Sequence, residues 1–305
     1  HIPAVHTGQS SDEPLITYGF TPNGYYADNA GAQLKWASDK WREEGRTGKC
    51  RVALIGADYP AGHAKMTPEV EEYIEALPNM EQVYLAYVEQ AKPDYSTDFA
   101  RLWESKPDLI GQYWTAGDLG KAVKAMVDLG IRDKVWSVYT GCWTCSPNIA
   151  ALGGLENTKG IYCVSTTIQM TDDSPAAEKI NYYWREYNRP DPLWGNIFYP
   201  SYWHLNLLET LAVKATVERV GWDRLCGEEV YNTLHNTKSY ELLGQEFGFA
   251  PGKHSADKYR IVEFNELGQI ETISDWMEFP DLRPAEYRKA ELGWTARGWP
   301  EGYPK

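Results

Sequence analysis

Arg51-Val-Ala-Leu-Ile-Gly56, then Pro68 with Glu69 to Ala76, then Gln82-Val-Tyr-Leu-Ala-Tyr-Val88: on this stretch the fold class turns. The outer two pieces are short apolar runs rich in strand formers. The middle piece carries Val70, Tyr73 and Ile74 on one helical face. Strand, helix and strand in direct succession predict a βαβ unit. The alternation then continues. Thr97 stands as cap before a helix with Phe99, Leu102 and Trp103, and Asp108-Leu-Ile-Gly-Gln-Tyr-Trp114 is a third strand. Leu119, Ala122, Val123 and Met126 form an i, i+3, i+4, i+7 stripe that Gly130 ends. Lys134-Val-Trp-Ser-Val-Tyr139 and Gly160-Ile-Tyr-Cys-Val-Ser165 are the fourth and fifth strands. Right-handed crossovers then require a mostly parallel, doubly wound sheet covered on both faces, an α/β fold.

Beyond Thr171 the texture changes. Two helical blocks follow, Ala176 to Tyr187 and His204 to Val220, the second with Leu207, Leu208, Leu211, Ala212 and Ala215 as its apolar stripe. Tyr259 to Phe264 and Ile270 to Trp276 flank Asn265-Glu-Leu-Gly-Gln269, a hairpin signal. Residues 280–305 read as an irregular C-terminal extension.

The chain of 305 residues is 43% hydrophobic, enough for a sizeable core, and carries a net charge of −13. That acidity argues against nucleic-acid binding, which needs a basic footprint. No apolar run is long enough to insert in a membrane; Leu205 to Val213 is interrupted by Asn206, Glu209 and Thr210. Thirteen Trp and 21 Tyr stand against 7 Phe, a surplus of rings that pair an apolar body with a polar handle and suit wet pockets. The start, His1-Ile-Pro-Ala-Val5, lacks an initiating Met and any leader pattern, which predicts a removed leader or a fragment boundary.

Nucleotide motifs fail when tested. Gly56 to Gly62 has one residue too many for a phosphate loop, and His63-Ala64 stands where Lys and Ser or Thr are required. The six His form no zinc pattern, so no metal and no cofactor are implied. Cys142-Trp-Thr-Cys145 is a C-x-x-C: a local disulfide, two ordinary thiols or a thiol-disulfide oxidoreductase centre. The redox reading wants the first Cys at a helix start, whereas this pair follows a strand and precedes Pro147.

The order of segments resembles the type I periplasmic solute-binding proteins, the group that includes the leucine/isoleucine/valine-binding proteins of ABC transporters. Ala57-Asp-Tyr-Pro-Ala-Gly-His-Ala64 is similar to that family's D-x-x-Y-G-x-G-x-A turn. Lys92-Pro-Asp-Tyr-Ser-Thr-Asp98, Lys106-Pro-Asp-Leu-Ile110, Ala125-Met-Val-Asp-Leu-Gly130 and Leu155-Glu-Asn-Thr-Lys-Gly-Ile-Tyr162 resemble its successive helix and strand entries. Leu15 to Phe20 looks like a crossing between lobes, Phe198 to Trp203 like a helix start, and the final hairpin like the family's closing one.

The resemblance implies a two-lobed fold that begins partway through the family pattern. Lobe 1 would comprise residues 1–28 and 168–279 with its front absent, lobe 2 residues 29–167, and native chain would precede His1. It implies an extracytoplasmic protein, periplasmic or secreted, that captures a small ligand between its lobes for an ABC permease and performs no catalysis. A ligand-sensing ectodomain or regulator of the same fold is the alternative. Ligands in open α/β sheets sit beyond the carboxyl ends of the strands, here Asp58/Tyr59, Tyr87/Glu89, Trp114/Thr115, Tyr139/Thr140 and Ser165/Thr166. Tyr59 matches a cleft-lining family position. Tyr202 and Trp203 are further ligand-binding candidates near the hinge. Amino-acid binders place a carboxylate after the fourth strand for the ligand ammonium, and here Tyr139 or Thr140 stands there. An unpaired buried ammonium is costly, so an aromatic, amide or carboxylate ligand is expected before a plain amino acid. Trp114 and Trp143 have a plainer reading as core or loop aromatics.

Overall fold

The computed structural model describes residues 4–5, 19–115, 117–141, 154–190, 194–237, 239–242, 245–249 and 254–284. Ala116, Cys142, Trp143, Cys145 and the extension past Pro284 lie outside the described residues.

In chain order the elements are β1 (Ala4–Val5), β2 (Gly19–Phe20), α1 (Tyr26–Glu43), β3 (Cys50–Ala57), α2 (Pro60–His63), α3 (Pro68–Ala76) and β4 (Met80–Val88). Next come α4 (Ser96–Glu104), β5 (Leu109–Tyr113), α5 (Asp118–Asp128), β6 (Ser137–Thr140), α6 (Leu155–Thr158) and β7 (Ile161–Ser165). The remainder is α7 (Pro175–Glu186), α8 (Phe198–Val220), a short 3-10 turn, α9 (Gly227–Asn236), β8 (Tyr240–Leu242), β9 (Gln245–Phe247), β10 (Lys258–Phe264), β11 (Ile270–Thr272) and β12 (Met277–Glu278).

Eight strands make the main sheet, in the order β11-β10-β7-β6-β5-β3-β4, with β12 also paired to β10. The five strands from β4 to β7 are parallel, as their helical crossovers require. Each face carries its own apolar layer. Ile55, Ile110, Val138 and Cys163 face α4 and α5, while Leu54, Tyr139, Tyr162 and Ile261 face α1 and α3. Gly111 lies opposite Tyr139 in the ladder, and a Cβ there would meet the Tyr139 ring at 2.3 Å. Glycine therefore leaves the room in which that large ring lies flat on the sheet.

Three features depart from the sequence reading. The final hairpin, expected with residues 168–279 in lobe 1, adds to the main sheet: β10 runs antiparallel to β7, Arg260 opposite Ser165 and Glu263 opposite Tyr162. The open edge of β7 has backbone groups to satisfy, and the alternating Tyr259, Ile261 and Val262, Phe264 supply both apolar layers at once. Helix α1, 18 residues long, has no counterpart in the sequence reading. Finally, the start of the C-terminal extension, irregular in backbone over residues 280–284, is packed rather than loose. Leu282 and Arg283 are buried, and the Leu282 amide donates to Asp28 Oδ1 at 2.7 Å on α1.

A second cluster forms away from the sheet, where Val5, Phe20, Leu208, Tyr231, Leu234 and Phe247 join β1 and β2 to α8, α9 and the β8–β9 hairpin. Chain passes between the two units beside one another: Thr21 bridges Ser255 in parallel, and the Thr21 amide donates to the His254 carbonyl at 2.8 Å.

Candidate functional site

The carboxyl ends of β3, β5, β6 and β7 all open on one side of the sheet, because the strands are parallel. After β3 the chain turns sharply through Asp58 and Tyr59 into α2, with Pro60 as its first residue. The amides of Gly62 and His63 donate to the Tyr59 carbonyl, which ties the turn together. Tyr59 is 43% exposed at this rim. Asp58 is also exposed, and its Oδ1 lies 2.7 Å from His63 Nε2. His63 in turn stacks on Tyr87 near the end of β4, ring centroids 3.9 Å apart.

After β5, Thr115 is partly exposed and its hydroxyl donates to Asp118 Oδ2 at 3.0 Å. Asp118 also accepts from the Ala91 amide and pairs with Lys121, so this carboxylate binds the end of β4 to the start of α5. At the end of β6, Thr140 is buried, and its carbonyl accepts from Gln33 Nε2 at 2.5 Å. At the end of β7, Thr166 donates to Asn23 Oδ1 at 3.2 Å. A cavity of about 10 Å³, room for one water, lies there among Asn23, Asn29, Ser165, Thr167 and Ser201.

Trp114 and Tyr139, expected at this rim, point into the core. Trp114 packs on Tyr95 at 4.7 Å and on Phe99, and its Nε1 donates to Gln112 Oε1 at 2.7 Å. Tyr139 lies on the opposite face between Tyr113 and Tyr162. Tyr202 and Trp203 sit on the first turns of α8. Tyr202 is exposed, whereas Trp203 joins Tyr183 and Tyr199 around Met170, Ile180 and Trp184. Neither belongs to the strand-end rim; Ser201, their neighbour, does reach it. Cys163 on β7 is disulfide-bonded, Cys50 and Cys226 are free, and Cys142 and Cys145 lie outside the described residues.

One residue that the sequence reading passes over is Lys65, just after α2. It is buried, with its Nζ 4.6 Å from the centre of the Tyr26 ring and 5.4 Å from that of Tyr113. Gly141, next after β6, leaves the space the ammonium occupies: a Cβ there would lie 2.3 Å from Nζ. The signal was a lone Lys inside an otherwise weakly polar Ala61-Gly-His-Ala-Lys-Met66. Burial and the neighbouring Tyr139 hold the Tyr113 phenol well above its usual range, so it stays a neutral donor beside this cation. The rim is thus a set of hydroxyls, amides and aromatic rings around a buried positive charge, with the exposed Asp58 carboxylate beside His63 at its edge. No group of three or more metal-ligating side chains occurs among the described residues.

A family model described as periplasmic binding protein matches residues 1–269. No curated protein matches the sequence significantly. Among solved structures, the chain is similar to a branched chain amino acid ABC transporter from Thermus thermophilus with bound valine. The TM-score is 0.75 and the identity 19%, over 96% of this chain and 75% of that one. It is also similar to a solute binding protein of an ABC transporter from Rhodopseudomonas palustris HaA2 in complex with p-hydroxybenzoic acid. There the TM-score is 0.70 and the identity 16%, over 92% and 73% of the two chains. A third is a fatty acid ABC transporter substrate-binding protein from Thermomonospora curvata, with TM-score 0.69 and 14% identity over 95% and 71%.

Proposed function

Because this chain belongs to the periplasmic binding protein family, we propose that it captures a small planar anion, an aromatic or other carboxylate, at the strand-end rim and presents it to an ABC permease. Proteins of this family and fold bind solutes and are not enzymes, which sets aside the oxidoreductase reading. The proposed site lies between two lobes: the sheet unit, with residues 258–278 added to it, and the unit around α8 and α9. A ligand that touches both favours their closed arrangement, the shape a permease can recognise.

The observation that carries the ligand class is Lys65. A buried ammonium flanked by Tyr26 and Tyr113 rings favours a carboxylate, and flat hydroxyl-bearing and aromatic neighbours favour a planar body. The end of β6 carries Thr140 and no carboxylate, so an ammonium group would find no counter-charge on that strand. A site outside the cytoplasmic membrane fits the disulfide at Cys163, and no helix among the described residues is long and apolar enough to cross a membrane.

A thermal-shift screen of benzoate, p-hydroxybenzoate, benzamide, valine and leucine tests this reading, since a ligand that binds only the native state raises Tm. Benzoate-type acids are expected to give the largest rise, and Lys65→Met to weaken their binding about tenfold or more. Larger shifts with the plain amino acids would overturn the ligand class.

A further inference from the structure

Two histidines meet nitrogen to nitrogen where the chain passes between the units. His254 lies on a crossing segment: its carbonyl accepts from the Thr21 amide at 2.8 Å, and its neighbour Ser255 bridges Thr21. The His254 ring is buried, 4% exposed, and stacks on Phe20 of β2 with centroids 4.0 Å apart. His235 stands in the last turn of α9, exposed, and stacks on Tyr231 one turn before it. His235 Nδ1 lies 3.2 Å from His254 Nε2, with the ring planes crossed at 86°. This contact ties α9 to the crossing segment.

Two imidazole nitrogens at that distance share one proton, because one must donate and the other must offer its lone pair. A second proton leaves two N–H groups facing each other on two cationic rings, and the contact then repels. The described neighbours are mainly aromatic. Phe20, backed by Phe249, and Tyr231 lie against the His254 ring, and Tyr231 is the titratable side chain that α9 turns toward the pair. Glu229, earlier on α9, is paired with Arg219. Asp257, further along the crossing segment, has Lys258 and Glu246 as its charged neighbours. Desolvation holds the His235 pKa below 6.5, so the contact is intact above that pH and is lost as pH falls.

We propose that the His235–His254 pair is a proton-operated latch on the crossing segments: it is fastened while the facing nitrogens share one proton, and a second proton releases α9 from the chain that joins the two units. The backbone bonds beside it, Thr21 amide to His254 carbonyl and Ala256 amide to Asn23 carbonyl, then open more often. The latch acts on the junction itself and does not depend on which ligand the rim takes.

Amide hydrogen exchange of Thr21 and Ala256, read by NMR at about pH 7.5 and about pH 4.5 and corrected for intrinsic exchange, tests the latch. The His235→Gln side chain can still pair with His254 but takes up no proton, and His235→Leu can do neither. Between the two pH values the natural chain is expected to lose about tenfold or more protection beyond the loss seen in His235→Gln. His235→Leu is expected to be poorly protected at both. Position 235 is exposed, and circular dichroism melts check that both variants fold. His204 is common to all three chains, so its own response to acid cancels in the comparison. Equal loss in the natural chain and His235→Gln, no loss in the natural chain, or full protection in His235→Leu at the higher pH overturns the proposal.

Discussion

At the scale of single residues, Gly62 holds the turn that sets out Asp58 and Tyr59. A Cβ at this position would lie 2.1 Å from the Ala57 carbonyl oxygen, and that atom is fixed in the last residue of β3. The backbone must move to admit it. Gly62→Ala is therefore expected to cost about 1–3 kcal/mol in urea unfolding. A loss within error would show that the turn gives way freely. Tyr59 was legible because it follows the last apolar residue of a clear strand. Trp114 was placed wrongly because side chains alternate along a strand: Ile110, Gln112 and Trp114 share one face, and Trp114 continues that face one residue beyond the ladder. Only the next residue, Thr115, turns outward. Lys65 stayed hidden because sequence ranks a Lys as solvated; only packing reveals the Tyr26 ring above it.

At the scale of elements, the strands and helices with regular periodicity were legible to within a few residues, and those without it were not. Helix α1 buries Ala27, Ala30, Ala32, Leu34 and Ala37 together with Asp28, Asn29, Gln33 and Ser38, so small and polar residues blur its apolar stripe. Pairing of β10 with β7 was illegible for another reason: a hairpin signal says nothing of which edge it will join. Helix α8 illustrates a polar residue enclosed by its neighbours. His204 is buried against Phe247, ring centroids 4.5 Å apart, and its Nε2 has no partner among the described residues. Desolvation holds its pKa down to about 3 from 6.5. The unfolded chain then binds a proton that the folded one refuses, so this contribution is full above pH 6.5 and is lost as pH falls toward about 3. His204→Leu is expected to flatten that fall by a few kcal/mol, read from urea unfolding at about pH 7.5 and about pH 4.5. An unchanged pH dependence would mean that the imidazole finds water or another partner when protonated.

For the whole molecule, two units joined by adjacent crossing segments predict a change of shape on capture. Small-angle scattering with a saturating benzoate-type acid is expected to show a smaller radius of gyration than without it. An identical profile, with binding confirmed by titration, would remove closure from the proposed function. The net charge of −13 bears on solubility and on weak attraction for other anions, which gives the local positive charge of Lys65 its value to a carboxylate. The late arrival of β10 reaches further, into how the chain is made. Ser165 waits for Arg260, about a hundred residues downstream. Until then β7, buried on both faces in the finished sheet, presents a bare edge of amides and carbonyls. The sheet consequently cannot be completed until residues 258–264 have been made. For the extracytoplasmic role proposed above, a sheet that locks only when its last strand emerges favours a chain still unfolded when it is exported.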